Sequence, residues 1–128
     1  MKAADLMIGD WVGRVFNDNR IIEDYRQVDW IRTGEIGMRY QKVWSIGCIE
    51  PIPLTHEILE KNGFWVMEKV DNGAEEYIVY ATGGLIFYYN RDNDYHFPNT
   101  PISWKYVHQL QHALRLCGLN ELADNFKI

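Results

Sequence analysis

The segment 103–118, SWKYVHQLQHALRLCG, constrains the fold most, because it carries a helix together with signals for both of its ends. Ser103 offers the hydroxyl of a favourable N-cap, and Gly118 suits the left-handed position that follows a helix C-terminus. At about 100° per residue, the apolar side chains fall on one face. These side chains are Tyr106, Val107, Leu110, Ala113, Leu114 and Cys117. The segment therefore predicts a long amphipathic helix with Leu110 and Leu114 in the core.

The opposite face of the same helix carries His108 and His112, whose spacing of four residues is the one found in helical zinc sites. A zinc protease motif needs a glutamate directly after the first histidine as general base, and this chain has Gln109 there. No third ligand is evident nearby. His108, Gln111, His112 and Arg115 are therefore predicted to be solvated, with metal binding by the two histidines as the minor alternative. No catalytic residue, cofactor or metal site is assigned.

Short strands and turn residues dominate the rest of the chain. In the first half, strands are predicted over 11–16, 20–27, 28–32 and 36–49, the last of them bent or broken. Thr55 then caps a short helix over 56–62, which ends at Gly63. Three further strands follow over 65–70, 75–81 and 85–90, with Asn72-Gly73 and Gly83-Gly84 as hairpin turns. The tail after residue 119 fits either a short helix or a last strand.

These elements predict an α+β fold. It consists of an N-terminal SH3-like small barrel or bent antiparallel sheet, a short helix, a three-stranded meander and one long C-terminal packing helix. The length of 128 residues fits one domain, 1–128, divided into a β-rich subdomain over 1–50 and a helix–meander–helix subdomain over 51–128. The long helix is expected to cover one face of the meander.

Compartment and partners follow from cysteine usage, hydropathy and charge. Cys48 and Cys117 are far apart and form no CxxC motif, which fits reduced, buried thiols in a cytoplasmic protein; one disulfide between them is the alternative. No run approaches about 18 apolar residues, so no membrane span is expected. Residues 51–100 carry three basic and eight acidic side chains, which disfavours binding of a polyanion there. The basic side chains of the first half offer an alternative nucleic-acid surface, namely Arg14, Arg20, Arg26, Arg32, Arg39 and Lys42.

The aromatic side chains of the meander point most directly to a function. Tyr77, Tyr80, Tyr88 and Tyr89 are the candidate binding residues, although strand aromatics most often fill a core. Both registers of these strands are apolar, and one helix can cover only one face of a sheet. The other face is expected to meet the N-terminal barrel, a second copy of the chain in a homodimer, or a protein partner.

Three blocks of sequence carry a resemblance to a known family. LMIGDWV near the start, IEPIPLTHEILEKNGF in the middle and YVHQLQHALRLCGL near the end resemble, in this order and spacing, a family of small proteins encoded in gut Bacteroidetes genomes, often in prophage-like or mobile regions. The resemblance implies a bacterial or phage protein of the cytoplasm. It implies no activity, cofactor or site residue.

Together, these observations favour a non-enzymatic binding or adaptor protein, serving a prophage or mobile element, with a protein or a second copy of itself as partner. Two alternatives are kept. One is a nucleic-acid-binding accessory protein that uses the N-terminal β-rich half, and the other is a small enzyme.

Overall fold

The computed structural model describes residues 1–16, 20–40, 42–90 and 94–128, which form a mixed α+β structure with two antiparallel sheets. The chain divides into two units. The first unit holds residues 1–53, 106–126 and 128, and the second holds residues 54–105 and 127. The α+β class with antiparallel sheets is confirmed. The subdivision at residue 50 differs from the observed one, because the C-terminal helix belongs to the unit of the N-terminal sheet and packs against its first strand.

The sheet of the first unit has five strands in the order β4-β3-β2-β1-β5. They are β1 (Trp11–Val15), β2 (Ile22–Arg32), β3 (Glu35–Met38), β4 (Lys42–Ser45) and β5 (Ile49–Glu50). The residues predicted as two strands over 20–32 form the single long strand β2. Two register shifts bend β2 where it pairs with its neighbours. In the pairing with β1 the shift lies between Arg14 and Val15, and in the pairing with β3 it lies between Val28 and Trp30. Within the described residues the sheet stays open, with β4 and β5 at its edges.

The core of the first unit is formed by alternate side chains of these strands and by two helices. The strand contribution includes Val12, Val28, Ile36, Met38, Trp44 and Ile49. The helices are α2 (Val107–Leu116) and α3 (Asn120–Asp124). Leu110 and Leu114 are fully buried, as predicted, and Ala123 and Phe126 add to the buried set. The tail therefore adopts the helical one of its two alternatives.

The C-terminal end of α2 explains where one cysteine lies. Gly118 has a φ of +79°, and the N–H of Leu119 donates to the carbonyl of Leu114, which closes the helix with a Schellman motif. Cys117 is the C-cap residue and is exposed, so its predicted burial on the apolar face is wrong. Both cysteines are free thiols in the structure.

The sheet of the second unit extends the predicted three-stranded meander to five strands in the order β10-β9-β8-β7-β6. They are β6 (Trp65–Asp71), β7 (Glu76–Thr82), β8 (Leu85–Asn90), β9 (Tyr95–His96) and β10 (Ser103–Trp104). Ser103 pairs with His96 and is not the N-cap of α2, so that prediction is wrong. The reason is Trp104, which is buried with its ring 5.4 Å from that of Phe87 and holds the segment in the sheet.

A short helix, α1 (His56–Lys61), packs on one face of this sheet. Its N-cap is Thr55, whose Oγ1 accepts a hydrogen bond of 3.3 Å from the N–H of Ile58. Leu59 is buried, and the ring of Phe64, just after the helix, lies 5.3 Å from that of Phe87. The face that carries Phe87 is therefore the covered face. None of the helices in the described residues has the length and apolar character that crossing a bilayer requires.

Candidate functional site

The four tyrosines predicted to bind a partner lie on opposite faces of the second sheet. In the register of β7 and β8, Tyr80 pairs with Phe87, and Tyr88 pairs with Val79. Because side chains alternate along a strand, Tyr80 and Tyr89 share the face covered by α1, whereas Tyr77 and Tyr88 share the other. The structure therefore separates the predicted site into two pairs.

Tyr80 and Tyr89 face a cavity of about 370 Å³ on the covered side. The hydroxyl of Tyr80 is 3.2 Å from Nδ1 of His56, and the rings of Tyr89 and Tyr95 are 4.7 Å apart. Tyr95 donates to the carbonyl of Leu54. Burial raises the pKa of both Tyr80 and Tyr95, so both phenols stay protonated. Tyr80 is a buried residue with an internal partner, and it serves the packing of this unit.

Tyr77 and Tyr88 line a groove of about 520 Å³ on the other face. Their rings are 5.6 Å apart, and the ring of His96 meets that of Tyr88 edge to face at 5.6 Å. We refer to this site as the tyrosine groove. Its main lining residues are Glu75, Glu76, Tyr77, Tyr88, Asn90 and His96.

The hairpin between β6 and β7 positions the acidic rim of the tyrosine groove. Oδ1 of Asn72 accepts hydrogen bonds from the N–H groups of Ala74 and Glu75, at 3.2 and 2.7 Å. Such an Asx turn fixes the backbone that enters β7 and so places Glu75 at the mouth of the groove. Desolvation raises the pKa of Tyr77, and the negative charges of Glu68 and Glu75 raise it further. The groove thus combines aromatic rings with negative potential.

Apolar surface continues from the tyrosine groove along the same face. Trp65 on β6 and Ile86 on β8 both pair with Ala81 on β7. All three residues lie on the same face of the sheet as Tyr77 and Tyr88. Trp65 is 53% exposed and Ile86 is 41% exposed. These two residues are not among the four binding residues predicted from sequence, although the two-residue alternation that assigns Tyr88 to this face assigns Ile86 to it as well.

A second candidate site lies in the first unit, around the carboxylate of Asp10. Asp10 is 0% exposed. Its Oδ2 accepts from Nε2 of His112 at 2.7 Å and from the N–H of Met7 at 2.8 Å, and its Oδ1 accepts from Nη1 of Arg115 at 2.8 Å. We call Asp10, His112 and Arg115 the aspartate cluster. Because a carboxylate only accepts, Nε2 of His112 is the donor in this hydrogen bond, and in the neutral form of the ring Nδ1 is an acceptor.

Two side chains that the sequence analysis assigned to solvent are buried beside this cluster, so those predictions are wrong. Gln111 is 0% exposed: its Oε1 accepts from the N–H of Trp11, and its Nε2 donates to the carbonyls of Gly9 and Ala123. Gly9, with a φ of +94°, turns its carbonyl toward this amide. The helix face is polar because it meets backbone groups of a segment about 100 residues away.

His108 is the other buried residue, at 5% exposed, and its Nδ1 has no hydrogen-bond partner. Burial lowers the pKa of His108, so its ring is neutral at pH 7. Its ring centroid is 5.7 Å from that of His112. Both histidines line a cavity of about 770 Å³, together with Asp5, Met7, Glu50 and Tyr106. We call this site the histidine cavity.

The remaining candidate residues fall outside both sites. Arg20 pairs with Glu50, Arg26 with Asp24 and Arg32 with Glu35, so three of the basic side chains considered for nucleic acid contact carboxylates. Within the described part of the chain, no three His, Cys, Asp or Glu side chains are arranged to hold a metal ion.

Comparison with known proteins gives no relative: no protein-family model, curated protein or solved structure matches the chain.

Proposed function

We propose that this protein is a non-enzymatic binding protein whose tyrosine groove docks a basic segment of a partner protein. The observation that carries the proposal is the pairing of two partly exposed tyrosine rings, Tyr77 and Tyr88, with the carboxylates of Glu75 and Glu76 in one groove. Arg and Lys side chains pair with both kinds of group, since a cation is attracted to an aromatic face and to a carboxylate.

Charge complementarity supports this choice of partner. Residues 51–100, which include all of the groove, carry eight acidic and three basic side chains. None of the described side chains that line the groove is Lys or Arg. A basic segment is therefore attracted over a distance of about 10 Å at moderate salt, whereas an acidic segment or a polyanion is repelled.

Trp65 and Ile86 extend the docking surface beyond the groove. Trp and Tyr are the residue types most enriched among those that dominate binding energy at protein interfaces. A partner segment with an apolar side chain next to its basic residues would bury Trp65, which is 53% exposed in the free chain. Burial of apolar surface is worth about 25 cal/mol per Å².

A peptide-binding assay tests the proposal. A fluorescein-labelled peptide of alternating Arg and Leu residues should bind with saturable polarisation, and the same peptide with Glu in place of Arg should not. Tyr88→Ala should weaken binding at least about tenfold, because it removes one wall of the groove. Raising the salt from about 50 to about 300 mM should weaken binding further.

Matched variants keep this assay interpretable. Tyr25→Ala changes a tyrosine of the first unit that is also partly exposed, and it should leave peptide affinity unchanged. Equal loss in Tyr88→Ala and Tyr25→Ala, or equal affinity for the Arg and Glu peptides, would overturn the proposal. Concentration-dependent self-association blocked by Tyr88→Ala, without peptide binding, would identify a homodimer surface instead.

The nucleic-acid alternative has weaker support. Arg20, Arg26 and Arg32 have carboxylate partners, and Arg14 lies over the rings of Phe16 and Trp44. These contacts leave few cations for phosphates.

We further propose that the bent first sheet is of the SH3-like kind, which its two register shifts support. We also propose that the protein acts in the bacterial cytoplasm for a mobile element, which the three blocks of resembling sequence support.

A further inference from the structure

The histidine cavity of the first unit has the size and lining of a small-molecule site. Its volume of about 770 Å³ lies within the range of about 300 to 1,000 Å³ that is typical of ligand pockets. Apolar groups come mainly from Met1, Met7, Pro51 and the ring of Tyr106, and polar groups come from two histidines, two carboxylates and the amide of Gln109. All of these residues belong to the first unit.

Several polar groups of the cavity are hydrogen-bond acceptors. His112 donates through Nε2–H to the buried carboxylate of Asp10, so in its neutral form the ring presents a lone pair on Nδ1. The side chain of His112 is 27% exposed, which leaves its ring within reach of a ligand. The carboxylates of Asp5 and Glu50 are acceptors as well, and that of Glu50 also pairs with Arg20.

Cationic side chains are absent from the described lining of the cavity. Arg115, the nearest cation on α2, is turned away to Oδ1 of Asp10 and to the carbonyl of Ile8. His108 contributes a ring that is neutral because it is buried, with an unpartnered Nδ1. A carboxylate or phosphate ligand would therefore find no Lys or Arg side chain in the described lining, whereas a donor-rich cation would find acceptors.

We propose that the histidine cavity binds a small organic ammonium ion with an apolar body. The ammonium group donates to Nδ1 of His112 and to the carboxylate of Asp5, and the apolar body lies against Met7 and the ring of Tyr106. Asp10 is the positioning residue, because it fixes the tautomer that makes His112 an acceptor. The site is independent of the tyrosine groove, and either could exist without the other.

Three probes of the same shape and different charge test the proposal. Benzylamine, benzyl alcohol and benzoate are titrated at pH 7.5 into the full chain while the imidazole resonances of the four histidines are followed by NMR. Benzylamine should give saturable shifts at His108 and His112 and none at His56 or His96. Benzyl alcohol should bind at least about tenfold more weakly, and benzoate should give no saturable shift.

Variants separate the role of the histidine from general packing. His112→Gln should weaken benzylamine binding at least about tenfold, and His56→Gln, in the second unit, should leave it unchanged. Asp10→Asn should change the tautomer of His112, seen in its imidazole nitrogen shifts, together with the affinity. Binding of benzoate as tight as that of benzylamine, saturation without shifts at His108 and His112, or no saturable shift up to about 10 mM benzylamine would each overturn the proposal.

Discussion

Polar side chains are buried in the first unit, where Asp10 and Gln111 are inaccessible to solvent, while aromatic side chains reach the surface of the second unit, where Trp65 and Tyr88 are partly exposed. Asp10 and Gln111 have internal partners, and most of those partners are backbone or charged groups of another segment. The rings of Trp65 and Tyr88 keep part of their surface open to solvent. Buried polar groups of this kind hold a structure in one arrangement, whereas exposed rings retain surface that a partner can bury.

The largest expected effect is on the buried carboxylate of the first unit. Asp10→Ala leaves Arg115 and His112 without their common acceptor, and breaking a buried ion pair costs about 3–5 kcal/mol. Urea denaturation followed by far-UV circular dichroism should show this loss. Asp29→Asn, at an exposed position on β2, should change the free energy of unfolding by less than about 0.5 kcal/mol. Similar effects of the two variants would mean that the aspartate cluster contributes no stability.

A smaller loss is expected from Gln111→Ala. The change leaves the N–H of Trp11 and the carbonyls of Gly9 and Ala123 without this partner, and an unsatisfied buried group costs about 1–3 kcal/mol. We therefore expect destabilisation of about 2–3 kcal/mol, measured by urea denaturation. Glu121→Ala, at an exposed position of α3, is the control. If Gln111→Ala leaves the free energy of unfolding unchanged, the side chain is solvated, as helical periodicity alone predicts.

The pH dependence of stability should report on His108. Burial lowers its pKa in the folded state, and the positive charge of a protonated His112 lowers it further, while the carboxylates of Asp10 and Asp5 act in the opposite direction. Between the folded value and the unfolded value of about 6.5, the unfolded chain binds more protons, so stability falls as pH falls through that window. One such group gives a slope of at most about 1.4 kcal/mol per pH unit. His108→Phe should remove this contribution and His56→Gln should not; an unchanged profile in His108→Phe would contradict the assignment.

No effect is expected from zinc. Nε2 of His112 is held by Asp10, and among the described residues no three His, Cys, Asp or Glu side chains are arranged to hold a metal ion. Equimolar Zn²⁺ should leave the melting temperature unchanged, as should addition of a chelator. A stoichiometric zinc site that disappears in His112→Ala would show that the aspartate cluster opens to bind metal.

Local signals predicted the second unit better than the first. The cap at Thr55, the hairpin glycines Gly73 and Gly84, both with positive φ, and the alternation along β7 and β8 describe contacts between residues close in sequence. The prediction of Ser103 as the N-cap of α2 was wrong because the burial of Trp104 outweighs the capping preference of Ser103 and holds both residues in β10.

The buried polar groups of the first unit were beyond such signals. Helical periodicity separates Gln111 from Leu110 correctly, but it cannot show that the Gly9–Trp11 backbone lies over the polar side of α2. The partner of His112 is 102 positions away in the chain. Alternation along each strand separates Tyr77 from Tyr80 and Tyr88 from Tyr89, whereas the placement of Tyr77 and Tyr88 on one face required the register of the strands.

Mapping of a bound peptide on the whole chain tests the comparison between the two units most directly. The labelled chain is titrated with the alternating Arg–Leu peptide, and amide shifts are recorded in ¹H–¹⁵N spectra. Our account predicts saturable shifts concentrated at Glu75–Tyr77, Ile86–Tyr88 and Trp65, with the amides of Trp11 and Gln111 unmoved. Shifts centred on Asp10 and α2, with the tyrosine groove unmoved, would contradict it.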